Sequence, residues 1–212
     1  MSKRSADASE EESDSKRSKT VGKWHYAMIC SSNMNRSCAG HKILHENNLK
    51  VSSYGAGAQV KIPGVDGARC FKFGTSYDEM YKSLEAEDKD YYEKNEMLPM
   101  LDRNRKIKTA PERWQDADYV GQIDVAVAFE ERVYELVEED LQIREPNEFK
   151  PFHLINIETK DNPKAAAKSA ELALEFCQQV EGLDDLEDSL DDIVEAFQEK
   201  HGVELSHNMH LL

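Results

Sequence analysis

The chain has 212 residues, 39% hydrophobic and 33% charged, which is enough for one domain with a full core or one domain plus an appendage. No apolar run approaches the length of a membrane span and no signal peptide opens the chain, so no membrane partner is expected. A net charge of −15 opposes direct binding of nucleic acid, and it opposes an anionic substrate too unless positive potential is concentrated locally.

Residues 1–22 are Ser, Glu, Asp, Lys and Arg with almost nothing apolar, a composition that predicts a disordered tail. Within it, Lys3-Arg4 and Lys16-Arg17-Ser18-Lys19 have the layout of a two-part nuclear import signal, although a solvated tail with nearly cancelling charges would look the same. The cysteines Cys30, Cys38, Cys70 and Cys177 show no paired spacing, so free thiols in a reducing compartment are expected.

Residues 24–29 are aromatic and apolar and predict the first strand, while residues 38–44 can run as a helix. Between them lies Cys30-Ser31-Ser32-Asn33-Met34-Asn35-Arg36-Ser37, a cysteine separated by five residues from an arginine and followed by a hydroxyl. In a curled loop at a helix N-terminus, backbone N–H groups bind an anion, so Ser31 to Ser37 form a candidate phosphate cradle. Such surroundings bring a thiol from about 8.5 into roughly the 3.5 to 7.5 range, which makes Cys30 a candidate thiolate nucleophile. The planar fork of Arg36 can hold two phosphate oxygens, and Ser37 can donate to the thiolate. This is the equipment of a cysteine-dependent phosphatase, and that chemistry requires no metal and no cofactor.

Residues 51–54 predict a second strand, ending at Gly55-Ala56-Gly57. Residues 59–63 and 69–73 flank Gly64-Val65-Asp66-Gly67 and predict a β-hairpin. A capping box of Ser76 and Glu79 starts a helix that continues to about Lys94-Asn95. Residues 97–114 hold the densest basic run outside the tail, readable either as the lining of a phosphopeptide groove or as a surface loop that balances acidic neighbours.

Residues 123–129 predict a third strand, the helix from Glu130 to about Leu141 follows, and residues 152–157 predict a fourth strand. Asn162 as N-cap and Pro163 at the first helical position then open a long alanine-rich helix. Alternating strands and helices imply a parallel sheet whose active site lies beyond the strands' carboxyl ends. That rule brings Asp161, just outside its cap, to the same edge as Cys30, although a carboxylate there could equally serve the helix dipole. Residues 183–200 place Leu183, Leu186, Leu190, Ile193, Val194 and Phe197 on one helical face, with acids opposite; the face is expected to pack on the domain rather than dock a basic partner.

These elements predict a three-layer α/β sandwich: a central four-stranded parallel sheet flanked by helices, a phosphate loop after strand 1, a β-hairpin lid at 58–73 and an acidic C-terminal helix at 183–200. Residues 23–212 then form one phosphatase domain.

From residue 24 onward the chain resembles the RNA polymerase II carboxy-terminal-domain phosphatases of the Ssu72 family, whose fold is shared with low-molecular-weight protein tyrosine phosphatases. The resemblance rests on the loop at 30–37, Met-Leu-Asp-Arg-Asn-Arg-Lys-Ile-Lys at 100–108, Pro-Glu-Arg-Trp at 111–114, Glu-Glu-Arg-Val-Tyr at 130–134 and Asp-Asn at 161–162. It implies that Cys30 is the nucleophile, Arg36 the phosphate clamp and Asp161 the general acid. It also implies a peptide groove lined by Lys61, Ile62, Pro63 and Met100, which takes the fifth-position phosphoserine of the heptad repeat followed by a cis proline. The implied setting is the nucleus, with a symplekin-type scaffold of the mRNA cleavage and polyadenylation machinery as partner. Where the family usually continues Met-Glu-Ala-His, this chain has Cys38-Ala39-Gly40-His41, which puts a second thiol near the first. Two rivals share much of this pattern: a phosphotyrosine phosphatase, which needs a deep aromatic-walled slot, and a non-catalytic assembly factor of the 3′-end processing complex.

Overall fold

The structure is a computed structural model that describes residues 22–118, 120–145 and 149–212. Apart from Gly22, the tail expected over residues 1–22, with its two basic clusters, lies outside the described residues.

Strand β1 (His25–Cys30) is buried at every position, and so is β5 (Val125–Ala128). Both are covered on two faces, which is why the sequence gives them unbroken apolar runs instead of an alternating pattern. Their neighbours are β2 (Lys50–Gly55) and β6 (Pro151–Ile157), and these four strands pair in parallel in the order β2-β1-β5-β6. Helix α1 (Arg36–Glu46) links β1 to β2, and α4 (Glu131–Ile143) links β5 to β6. The chain leaves β1 for β2 on one side and comes back to β5 on the other. The strand order therefore reverses beside β1, where the connecting loops diverge and leave a crevice.

The sheet departs from the expected four parallel strands. A fifth strand, β7 (Leu205–Leu211), pairs antiparallel with β6 over its whole length, which makes the sheet mixed. Helix α6 (Leu190–His201) is correspondingly shorter than the helix expected over 183–200. The segment before it turns instead, with Asp185 Oδ1 accepting from the Glu187 N–H at 2.8 Å, a local bond that competes with helix formation. The apolar face packs on the domain as expected: Leu186, Leu190, Val194 and Phe197 are buried with residues of the sheet and of α5 (Pro163–Val180).

Side-chain alternation sorts the core. Tyr26, Met28, Val125, Val127 and Ile155 face α5 and α6, while Ala27, Ile29, Ala126, Ala128 and Leu154 face Trp114 and the buried side of α4. A third cluster lies outside the sheet. The hairpin of β3 (Val60–Ile62) and β4 (Arg69–Phe71) packs through Val60 and Ile62 against α2 (Tyr77–Lys94) and α3 (Met97–Asn104). The Ser76–Glu79 capping box opens α2 as expected. At Asp88 the helix breaks (φ −160°, ψ 88°), and Asp88 Oδ1 accepts from the Tyr91 N–H at 3.0 Å, restarting it. Part of the basic run is thus helix α3, not a loop.

Phe197 is 1% exposed and meets Phe176 edge-on with centroids 5.5 Å apart. Phe197→Ala should lower the unfolding free energy by about 3 to 5 kcal/mol in urea titration. A loss under about 1 kcal/mol, the scale of an ordinary surface change, would show that α6 and β7 lie outside the cooperative core.

Candidate active site

The chain between β1 and α1 is a loop whose carbonyls are held from outside. The Ala56 and Gly57 N–H groups donate to the carbonyls of Cys30 and Ser31, each at 2.9 Å. The Tyr77 hydroxyl donates to the Asn33 carbonyl at 2.6 Å, and Arg103 Nη2 donates to those of Met34 (2.8 Å) and Asn35 (3.1 Å). Asn104 Nδ2 adds a second bond to Met34 O at 2.8 Å. In a trans peptide the N–H points opposite the C=O, so the N–H groups of Ser31, Ser32, Met34, Asn35 and Arg36 face the loop's interior. That is the orientation the sequence reading requires of an anion cradle.

Asn33 sits at φ 53°, in the left-handed region that tightens the loop and that Asn tolerates better than most residues. Its Oδ1 accepts from Lys108 Nζ (3.2 Å) and from the Glu112 N–H (3.1 Å), which fixes the amide's orientation. Nδ2 therefore donates to Ser37 Oγ at 3.0 Å, and Ser37 Oγ lies 3.1 Å from Cys30 Sγ, a contact in which either group can donate. The Ser37 hydroxyl is thus within hydrogen-bond reach of the thiol, where the sequence expects a donor. Cys38 lies behind the loop, wholly buried beside Asn33 and Tyr77, and burial pushes its thiol pKa up.

Arg36 is the first residue of α1 and only 3% exposed. Its Nη1 donates to the carbonyls of Phe129 (3.2 Å) and Thr159 (2.9 Å), just beyond the ends of β5 and β6. Nη2 donates to Glu130 at 2.6 Å and lies 3.7 Å from Asp161 Oδ2. Burial disfavours the guanidinium charge, but Asp161, Cys30 and Glu130 outweigh burial and hold its pKa above the ordinary value. Nε is buried with no partner among the described residues. Nε–H and the second Nη2–H share one edge of the guanidinium plane, a ready fork for two oxygens of an oxyanion.

Asp161 lies between β6 and α5, with its side chain 62% exposed. The helix is capped by its neighbour instead, since Asn162 Oδ1 accepts from the Ala165 N–H at 2.9 Å and Pro163 takes the first turn. The carboxylate is therefore free for the site, where Asn35 Nδ2 donates to its Oδ1 at 3.0 Å. The sequence assigns Asn35 only a backbone role in the loop. Its side chain orients the Asp161 carboxylate and leaves the N-terminus of α1 without a side-chain cap, which keeps that end open to an anion.

Above the loop lies a cleft walled by Lys61, Ile62 and Pro63 of the hairpin, by Glu96, Met97 and Met100 at the start of α3, and by Asp161 to Pro163. All four residues expected in the peptide groove are there. The Lys61 N–H also donates to Ser32 Oγ at 3.2 Å, tying the hairpin to the loop. The basic run divides between the two readings given to it. Arg103 and Lys108 turn inward behind the loop, whereas Arg105 and Lys106 pair with Asp78 and Asp102 at the surface. Sequence reasoning missed Glu130, Tyr77 and Arg103. The motifs Glu-Glu-Arg-Val-Tyr and Met-Leu-Asp-Arg-Asn marked two of them without showing what they touch.

A thiol seated in a backbone anion cradle at the carboxyl edge of a parallel sheet defines the class of α/β phosphatases that work through cysteine. The family model described as Ssu72-like protein matches residues 24–212, and the chain belongs to that family. It is 43% identical to SSU72 of zebrafish (Danio rerio), an RNA polymerase II C-terminal domain phosphatase, over 82% of this chain and 90% of the relative. The human (Homo sapiens) protein of the same name is 40% identical, over 86% of this chain and 94% of its own. Among solved structures, Drosophila melanogaster Ssu72 with Symplekin, bound to a cis peptidomimetic CTD phospho-Ser5 peptide, matches at a TM-score of 0.87 and 36% identity. That match covers 90% of this chain and 100% of the other.

A Cβ built on Gly57 would lie 2.8 Å from the Ser31 carbonyl oxygen, so a side chain there must displace the loop backbone. Gly57→Ala should lower kcat/KM on an aryl phosphate by about tenfold or more, the scale of a sub-ångström to 1 Å misplacement, while the thermal midpoint moves little. Unchanged turnover would show that the loop tolerates that displacement.

Proposed function

We propose that this chain is a protein serine phosphatase of the RNA polymerase II C-terminal domain, acting on the fifth-position phosphoserine of the heptad when the next residue is a cis proline. The observation that carries the reading is the cleft. Its walls are Ile62, Pro63, Met97, Met100 and Pro163, with no aromatic residue among those lining it. Aliphatic walls suit a phosphoserine and a prolyl ring, and they lack the aromatic slot a phosphotyrosine needs. The Drosophila relative's cis phospho-Ser5 ligand supports the same choice.

The mechanism has two steps. Cys30 thiolate attacks phosphorus in line, and the phosphorus–oxygen bond to serine breaks as Asp161 gives its proton to the departing oxygen. The inward N–H groups and the Nε/Nη2 edge of Arg36 hold the equatorial oxygens, matching charge as it develops. Water then attacks the phosphocysteine, Asp161 takes its proton, and the sulfur–phosphorus bond breaks to release phosphate. With a net charge of −15, the chain relies on the positive groups concentrated here, Arg36, Lys61, Arg103 and Lys108.

Residues 23–212 act as one phosphatase domain, with the hairpin at 58–73 as an inserted groove wall. The Drosophila complex contains Symplekin, and a symplekin-type scaffold of the mRNA 3′-end machinery is the corresponding partner for this chain. A polymerase II substrate places its work in the nucleus, where the basic pairs of the tail fit an import signal.

Cys30→Ser should abolish release of phosphate from a phosphoserine-proline peptide yet keep binding it, because the cradle is backbone and Arg36. A variant retaining a substantial share of turnover would rule out the cysteine mechanism, and loss of both activities together would remove the thiol-independent cradle.

In unfolded peptides the cis form of an X–Pro bond is about 10 to 30% populated and exchanges over tens to hundreds of seconds. Selection of cis weakens apparent affinity by roughly 0.7 to 1.4 kcal/mol. With enzyme in large excess over a one-heptad phosphopeptide, phosphate should appear in a fast phase the size of the cis fraction, then in a slow one. A prolyl isomerase should accelerate the slow phase, and more phosphatase should not. A single exponential that keeps rising with enzyme concentration would exclude a cis-selective groove at Lys61, Pro63 and Met100.

A further inference from the structure

Arg36 is restrained along one edge and open along the other. Both Nη1 protons go to the Phe129 and Thr159 carbonyls, and one Nη2 proton goes to Glu130 Oε2 at 2.6 Å. The second carboxylate at Nη2 is Asp161, whose Oδ2 pairs with it at 3.7 Å and whose Oδ1 is held by Asn35. Two carboxylates therefore stand beside one guanidinium, and the two-step mechanism needs them in different states. Asp161 must hold a proton while the serine oxygen departs, and an Asp beside an uncompensated Arg is held ionised.

We propose that Glu130 is a positioning residue: by occupying one Nη2 proton and offsetting part of the guanidinium charge, it keeps Arg36 turned to the phosphate oxygens and weakens its hold on Asp161, the carboxylate it also pairs with at 3.7 Å, so that Asp161 can carry the proton for the leaving serine. This rests on the assignment of Asp161 as general acid. Glu130 directly precedes α4, at the switch point between the loops after β1 and β5, and its side chain is one-third exposed. Its carboxylate acts on the site through Arg36 and is not among the residues that line the cleft. The other titratable groups around Asp161 are Cys30 at the end of β1, Lys61 on the hairpin and Glu96 before α3, all lining the same cleft, and Glu158 and Lys160 on its own loop.

Glu130→Gln separates charge from geometry, since the amide oxygen can still accept from Nη2. On a phosphoserine-proline peptide, kcat at neutral pH should fall about tenfold, part of the 10² to 10⁴ that an acid supplies, with KM within about twofold. The alkaline limb of kcat should move about one unit toward lower pH, and an aryl phosphate, whose leaving group departs without a proton, should lose distinctly less. Glu130→Asp, which keeps the charge, should recover much of the limb. In an Asp161→Asn background, Glu130→Gln should add no further loss specific to the serine substrate.

An unmoved alkaline limb, or equal losses on serine and aryl substrates, would overturn the proposal, as would a rise in KM alone. If Asp161→Asn itself falls equally on both substrates, the acid assignment goes and the role of Glu130 with it. If Asp161→Asn is selective and Glu130→Gln is not, only the role of Glu130 is lost. Thermal unfolding of each variant separates these results from misfolding, and Glu130→Asp supplies the comparison if Glu130→Gln fails to fold.

Discussion

Arg103 reaches under the loop from α3 and donates to two successive carbonyls, those of Met34 and Asn35, at 2.8 and 3.1 Å. The rest of the site depends on that grip. Turning those carbonyls outward turns the N–H groups of Asn35 and Arg36 inward, and the same rotation sets where α1 begins and therefore where the Arg36 side chain leaves the backbone. The guanidinium does this from a half-buried position, and desolvation lowers its pKa despite the thiols at Cys38 and Cys30. A cation drawn partly out of water needs its donors satisfied, and here the satisfied donors are the ones that shape the loop. Removing it would leave Met34 O with Asn104 alone and Asn35 O with its helical partner alone.

The sheet contributes through where its strands stop. Phe129 and Thr159 lie just past β5 and β6, so their carbonyls are released from the ladder at the height at which Arg36 crosses the crevice. Phe129 O also accepts from the Thr159 N–H at 3.2 Å, which ties the two strand ends together beneath the guanidinium. Topology thus has a chemical consequence. A reversal of strand order opens the crevice, the strand ends line it with acceptors, and one arginine spans it. Asp161 on the far side is held by a different contact, through Asn35, so Cys30, Arg36 and Asp161 are fixed by three separate local structures that the sheet keeps in register.

Where local chemistry decides structure, the sequence was legible. Cys30 at a strand end, the Ser76–Glu79 box, and Asn162 with Pro163 are short-range signals, and each appears in the structure as expected. The parallel core was legible from its doubly buried strands. β7 was not, because Leu-Ser-His-Asn-Met-His-Leu is an edge strand with mostly polar side chains, and its pairing with β6 is sealed by contacts at its ends, such as Lys150 with Leu212. Helix α3 was hidden by Pro99 and by its brevity. The functions of Asn35, Arg103 and Glu130 were beyond reach for another reason: each acts on a partner 68 to 126 residues away, and no local pattern carries such a distance.

The hairpin, α2 and α3 form an apolar core of their own, to which the loop contributes little beyond Met34. Cys30, Arg36 and Asp161 stand on β1, α1 and the turn before α5, and α2 and α3 reach the loop between them through the polar side chains of Tyr77, Arg103 and Asn104. The satellite core thus grips the loop through polar side chains and faces the cleft with apolar ones. Ile62, Pro63, Met97 and Met100 can be exchanged for other side chains of similar volume, reshaping what the cleft admits, while the groups that break the bond keep their supports. A lineage could retune its peptide preference in this way, and an engineer could do the same, by repacking one face of a small satellite core.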